Sequence, residues 1–330
     1  MTYKIAIVNS SSFGMHFPQH IERLKKIGEV KSFRFEPDAT DEELIEALDG
    51  YDYIIASVTP NFGEEFFDKV SNLKLLSRHG IGFNNVNLVG ATRNNVYVSK
   101  IAALVEQQAV AEQAWANLMA VLRQVPQSSK AVKEGRYSDR AKFMSYEIKN
   151  KRFGIIGCGN IGSGVAKIAS GGFNCEVVAY DPYKTKEELE AVGVKKVELE
   201  ELLKTCRFIS LNASLTETSK HMINKETLAM MMDDVYITNT ARGALWVEED
   251  IMEALDNGKI AGLGTDVMTV EPASADHPFL KYSNVLVTPH TAAYTYECLE
   301  LMGEKCVEDV ERVHAGLVPN ELVNTDVLEK

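Results

Sequence analysis

Short apolar runs rich in branched residues alternate with helical patterns from the start of the chain. IAIV (residues 5–8) precedes HIERLKKIG, VKSFRF precedes DEELIEAL, YDYIIASV precedes EEFFDKVS, LKLLSR precedes VNLVGATRN, and VYVSKI closes the series. Strands alternating with helix-length segments predict parallel sheets joined by crossover helices. A long helical pattern over residues 105–125, VEQQAVAEQAWANLMAVLRQV, is expected to end before Pro126 and to bridge this series to a second one. The second starts near Lys151 and runs through RFGIIG, a helix containing Val165 and Ala166, EVVAYD, KEELEAV, FISLNA, VYITNT, EEDIMEAL, IAGLGTDV and NVLVTPH. Two doubly wound α/β domains are therefore predicted. A last helical run over residues 296–316 is expected to carry the chain back to the first domain, which sets the division at residues 1–103 with 297–330, and 104–296.

Composition narrows the function without changing this picture. A chain of 330 residues with 45% hydrophobic and 25% charged side chains can build two cores. Its 35 basic and 47 acidic residues give a net charge of −12, which repels phosphate backbones and anionic headgroups. Neither nucleic acid nor a membrane is an expected partner. The start, Met1-Thr2-Tyr3-Lys4, runs directly into IAIV with no signal-peptide or spanning pattern, so the expected location is cytoplasmic. Cys158, Cys175, Cys206, Cys298 and Cys306 are odd in number and lack ligand spacing, which predicts reduced, mostly buried thiols and no metal.

The sharpest local signal is GIIGCGNIGSG, where Gly157, Gly159 and Gly162 occupy the GxGxxG positions between an apolar strand and a helical pattern. Gly157 permits the tight turn, Gly159 lets backbone approach a pyrophosphate, and Gly162 lets the helix sit close on the sheet. Downstream, EVVAY delivers Asp181 where a carboxylate accepts hydrogen bonds from the adenosine ribose and repels a 2'-phosphate. NAD is the expected cofactor.

Three further segments end strands of the second series with isolated functional groups: NTARGALW with Arg242, GTDVMTVEP with Asp266 and Glu271, and VLVTPHTAAYT with His290. Taken singly, an Arg after a strand is as often an ion pair, and a lone His or a Glu-Pro turn is more often structural. With LLSRHGIGFNNVNL and AVAEQ they make the chain resemble the D-isomer-specific 2-hydroxyacid dehydrogenases over essentially its whole length. The resemblance implies a Rossmann-type NAD domain, a flavodoxin-like substrate domain, and a homodimer built largely on the NAD domains. It also implies reversible reduction of a small 2-oxo acid to a D-2-hydroxy acid. Reducing such an acid needs a cation on its carboxylate and ketone, for which the Arg242 fork is suited, and a proton for the developing alkoxide. His290 is the natural acid, and Glu271 on its far ring nitrogen would orient it and favour its protonated form.

By the same resemblance Asp266 faces the nicotinamide carboxamide, although an Asp ending a strand can equally cap the next turn. Asn160, Ile161, Thr240 and Ala241, with Arg242 and His290, are counted among the expected cofactor contacts. Backbone amides of Ile81 and Gly82 are expected to take the substrate carboxylate, with Arg242 and His290 also touching substrate and with Lys100 and Tyr294 lining the pocket. Departures from the family pattern leave the acid open: Asn84 and Asn87 replace acidic residues, NASL (residues 212–215) replaces His-x-Pro, and Ala56 stands where the phosphoglycerate branch places Arg. The alternative is an NAD(H)-sensing protein like the C-terminal-binding co-repressors, which keep the Arg-Glu-His set. A formate dehydrogenase is disfavoured because Gln, not Glu, would partner the His.

Overall fold

The structure is a computed structural model that describes residues 2–329. The chain divides into two compact units: the described residues up to Glu106 with those from Tyr294 onward, and Gln107–Ala293.

In the first unit, β1 (Tyr3–Val8), α1 (Pro18–Lys25), β2 (Gly28–Phe33), α2 (Asp41–Leu48), β3 (Tyr53–Ala56), α3 (Glu64–Lys69), β4 (Leu75–Arg78), α4 (Leu88–Arg93) and β5 (Tyr97–Ser99) alternate as the hydrophobic pattern predicts. The strands form one parallel sheet ordered β2-β1-β3-β4-β5, the flavodoxin-like arrangement. Position in the sheet explains composition. Central β3 and β4 are buried throughout, and β3 reads as a continuous apolar run, whereas edge strand β2 alternates between half-buried and exposed positions. Thr40 caps α2 through a capping box with Glu43, which fixes where that crossover begins.

The second unit contains α5 (Gln107–Leu122), α6 (Val125–Lys133), β6 (Arg152–Ile156), α7 (Asn160–Phe173), β7 (Glu176–Tyr180), α8 (Lys186–Glu190), β8 (Lys195–Lys196), α9 (Leu199–Thr205), β9 (Phe208–Leu211), α10 (Lys225–Met230), β10 (Val235–Asn239), α11 (Glu248–Asp256), β11 (Ile260–Thr265) and β12 (Val285–Val287). Its parallel sheet runs β12-β11-β10-β9-β6-β7-β8, a Rossmann order extended by one strand. The bridging helix differs from expectation. It ends at Leu122, Gln124 adopts φ +51°, and a second helix opens with Pro126 in its first turn, where a residue lacking an N–H costs nothing.

The chain then returns to the first unit as α12 (Tyr296–His314). Gly303 lets α1 approach closely, since a Cβ there would lie 2.3 Å from His20 Nδ1. Asp309, fully buried, accepts hydrogen bonds from Ser77 Oγ on β4 (3.0 Å), Ser99 Oγ on β5 (2.5 Å), Lys305 Nζ (2.5 Å) and the Asn320 amide (3.0 Å). An unpaired carboxylate could not remain there; four donors make it a joint between helix and sheet.

All five cysteines are free and buried. Burial pushes the Cys158, Cys206 and Cys306 thiols up to about 11 and Cys298 up to about 12, which leaves no reactive thiolate among them. Among the described residues no helix is long and apolar enough to cross a membrane.

Candidate active site

The nucleotide-binding turn lies where β6 meets α7. Gly157 has φ +85°, and a Cβ on it would lie 2.5 Å from the Ala213 backbone. A Cβ on Gly162 would sit 2.2 Å from the Gly157 carbonyl oxygen, so strand and helix could not close up with any larger residue. Gly159 is different. Space beside it is open to 4 Å, and as N-cap of α7 it offers no side-chain acceptor to the first-turn amides of Asn160 and Ile161. An exposed helix N-terminus with room above its backbone suits a pyrophosphate.

Asp181, just past β7, is nearly buried. Its Oδ2 accepts from the Cys158 amide and its Oδ1 from the Tyr183 amide, both at 2.9 Å. These bonds lock the carboxylate against the glycine turn, and each oxygen keeps a lone pair for a further donor. Thr240 is also buried, and its hydroxyl has no hydrogen-bond partner in the structure. An orphaned hydroxyl at the end of β10, in the same sheet as the glycine turn and two strands from it, fits a polar cofactor, so the residues present suit a dinucleotide.

Arg242 follows β10 on a loop that Asn239 clamps from beneath. The buried Asn239 side chain accepts from the Ala241 amide (2.9 Å) and donates to the Arg242 carbonyl (3.0 Å), while Arg242 Nη1 donates to the Ala241 carbonyl (2.6 Å). The next residue, Gly243, packs so tightly that a Cβ would lie 2.1 Å from the Met268 carbonyl carbon. The Arg242 loop is thereby pressed against the segment leading to Glu271.

Glu271 Oε1 accepts from the Met268 amide (2.8 Å), and Oε2 lies 2.7 Å from His290 Nδ1. Burial pushes the Glu271 carboxyl up, but His290, the Met268 amide and the charge of Arg242 together hold it below the usual carboxylate range. It is a carboxylate at neutral pH. With Nδ1 engaged, Nε2 is the ring nitrogen left for chemistry.

Asp266 organises the loop that presents His290. Its carboxylate accepts from the Thr291 amide (3.0 Å), the Ala292 amide (2.7 Å) and Thr288 Oγ1, and its carbonyl accepts from the His290 amide (2.9 Å). His290 itself has φ +52°, a conformation that costs a non-glycine residue about 1–3 kcal/mol. Asp266 holds it there. The nearly fully buried Asp266 carboxylate thus does the turn-capping work that sequence alone allowed as an alternative to facing the carboxamide.

The remaining predicted residues stand in the first unit. Ile81 and Gly82 follow β4 and are half-buried. Lys100, at the end of β5, places Nζ 5.6 Å from the centroid of the Phe83 ring, and Tyr294 is 49% exposed. His79 beside the loop is buried and bonded to Ser10 Oγ (2.9 Å); burial, with the charges of Arg78 and His20, pushes it down to about 3. A neutral imidazole throughout the working range is no rival to His290 as an acid.

Sequence reasoning assigned no role to Asn239 or Gly243. Both lay inside the quoted NTARGALW motif, but their work depends on where the loop folds back, which local pattern does not show.

Residues 115–292 match the family model described as D-isomer specific 2-hydroxyacid dehydrogenase, NAD binding domain. The chain is 33% identical over 93% of its length to a D-3-phosphoglycerate dehydrogenase of Methanocaldococcus jannaschii, of which it spans 58%. It thus spans only a little over half the length of that relative. It is 30% identical to a glyoxylate reductase of Korarchaeum cryptofilum, with 94% of this chain and 93% of the relative covered. The crystal structure of D-lactate dehydrogenase from Aquifex aeolicus, complexed with NAD and lactic acid, superposes with a TM-score of 0.83 at 28% identity, covering 97% of this chain and 99% of that one.

Proposed function

The chain belongs to the D-isomer-specific 2-hydroxyacid dehydrogenase family, and from that premise we propose that it interconverts a small 2-oxo acid and its D-2-hydroxy acid at the expense of NAD(H). The observation that carries this reading is the 2.7 Å pairing of His290 Nδ1 with the Glu271 carboxylate, beside a loop that presents Arg242.

The hydride is the chemistry that NAD(H) supplies when bound. The amides of Asn160 and Ile161 at the α7 N-terminus hold its pyrophosphate, with Gly157, Gly159 and Gly162 providing the cradle, and Asp181 accepts from the ribose hydroxyls. Thr240, Ala241 and His290 would bound the nicotinamide end, and Asp266 would hold the loop that presents His290 there. Arg242 holds the substrate carboxylate and stabilises charge on the C2 oxygen. His290 delivers a proton from Nε2 to that oxygen in reduction and removes it in oxidation. Glu271 fixes the ring and stabilises the imidazolium. On the first unit, the Ile81 and Gly82 amides take the substrate carboxylate, while Lys100 and Tyr294 face the rest of the molecule. The two units are accordingly read as a substrate domain and an NAD domain.

We also assign the protein to the cytoplasm as a homodimer. Five free thiols fit a reducing compartment. Exposed Val125, Val132, Tyr137, Met144 and Tyr146 give the second unit an apolar surface suited to a second copy. A panel of pyruvate, glyoxylate, hydroxypyruvate, branched 2-oxo acids and sugar acids, followed by NADH absorbance, tests the activity. Turnover of at least one is expected; NADH binding without turnover of any would refute the enzyme reading.

A further inference from the structure

The loop after β4 already holds a carboxylate, and the chain supplies it. Glu106, the last residue before α5, is half-buried, and its Oε1 accepts a hydrogen bond from the Ile81 amide at 3.1 Å. That amide is one of the two to which the proposed function gives the substrate's own carboxylate. The loop is built around charge. Buried Arg78 places Nη2 3.6 Å from the point that a Cβ on Gly80 would occupy, and Glu106 Oε1 lies 4.0 Å from the same point. The Gly80 carbonyl is held from the other side by the Ile101 amide (3.2 Å). A fixed N–H backed by a buried guanidinium is an anion site, and Glu106 reaches it from within the chain.

We infer that Glu106 is an internal competitor of the substrate: its carboxylate and that of the 2-oxo acid claim the same Ile81 N–H, and the acid must displace Glu106 to bind. Two carboxylates cannot share one donor without strong like-charge repulsion. Apparent affinity is then lowered in proportion to the fraction of molecules in which Glu106 holds the amide. Glu106 therefore sets the apparent affinity of the site for carboxylate substrates, an inference that rests on the proposed role of the Ile81 amide.

The test compares kcat/KM and KM of the full-length wild type, Glu106→Gln and Glu106→Ala, using the best 2-oxo acid of the panel and its uncharged methyl ester. Glu106→Gln keeps the shape and removes the charge, which replaces a charge-assisted bond by a neutral one. The KM for the acid should fall about tenfold. Glu106→Ala should do the same, and neither change should improve the ester. An unchanged or raised KM for the acid in Glu106→Gln, or equal changes for acid and ester, would mean that Glu106 merely supports the loop and would overturn the inference. Should Glu106→Ala fail to fold, the isosteric Gln variant alone decides. Absence of turnover in the wild type would instead overturn the reading of the site, and this inference with it.

Discussion

Replacing Glu271 by Gln isolates the charge of the orienting carboxylate from its shape. Gln keeps the shape and an acceptor for either the Met268 amide or Nδ1 of His290, but the other position becomes an NH2 donor, so the negative charge and one of the two acceptors at 2.8 and 2.7 Å disappear together. Two unit charges about 4 Å apart interact by about 4 kcal/mol at an effective dielectric of about 20. His290 is 33% exposed and Glu271 26% exposed, so solvent screens much of this, and a net value of about 1.5–3 kcal/mol for a charge-assisted bond is the better guide. The alkaline fall in the rate of 2-oxo acid reduction should therefore move to lower pH in Glu271→Gln, because the charge that favours a protonated partner is gone. Oxidation of the hydroxy acid should begin at correspondingly lower pH. The assay is single-turnover NADH oxidation across pH, which separates chemistry from product release. Identical pH profiles would refute the pairing even if both alanine variants were inactive. The same carboxylate has a stability signature. Its folded-state value lies below the ordinary 4.5, so its contribution is present above that pH and is lost as pH falls through the depressed value. The difference in denaturant midpoint between wild type and Glu271→Gln should therefore vanish on acidification.

Four further changes probe other parts of the account. Arg242→Ala should raise KM and lower kcat together, by a combined 10²–10³-fold or about 3–4 kcal/mol of transition-state stabilisation, with NADH affinity little changed in a fluorescence titration. Asp181→Ser removes the charge that opposes a 2'-phosphate and two bonds to backbone amides; the ratio of efficiencies with NAD(H) and NADP(H) should fall at least about tenfold, and equal efficiency of the wild type with both would exclude the role. Gly243→Ala forces a Cβ against the Met268–Thr269 backbone, so turnover should collapse while the melting temperature drops only modestly; unaltered kcat would show that the Arg242 loop needs no such contact. Asp309→Ala leaves Lys305 buried without its partner and should lower unfolding free energy by about 3–5 kcal/mol in urea, against a surface control such as Asp326→Ala within about 0.5 kcal/mol.

Most of the fold was legible because period and length speak directly to burial. YIIA reads as a continuous apolar strand and lies at the sheet centre, and GxGxxG between strand and helix marked the cofactor turn through constraints that Gly157 and Gly162 meet by contact. Pro126 misled: proline ends a helix interior, but it also opens a helix, and the signal for a break at Gln124 was a left-handed backbone that the sequence does not announce. Arg242, Glu271 and His290 were legible as chemistry. What holds them was not. Asn239 and Asp266 act through bonds to backbone some residues away, Gly243 through a contact with residues 268–269, and Glu106 through an amide 25 positions upstream. Such roles depend on which loops meet, and no local window contains that information.

The central claim is that hydride passes to C2 of a 2-oxo acid with one handedness. Single turnover with NADH deuterated at the transferable C4 position, followed by chiral chromatography and mass analysis of the product, tests it most directly. The account predicts one deuterium at C2 of the D-2-hydroxy acid. An L product, or a product without deuterium at C2, would contradict it.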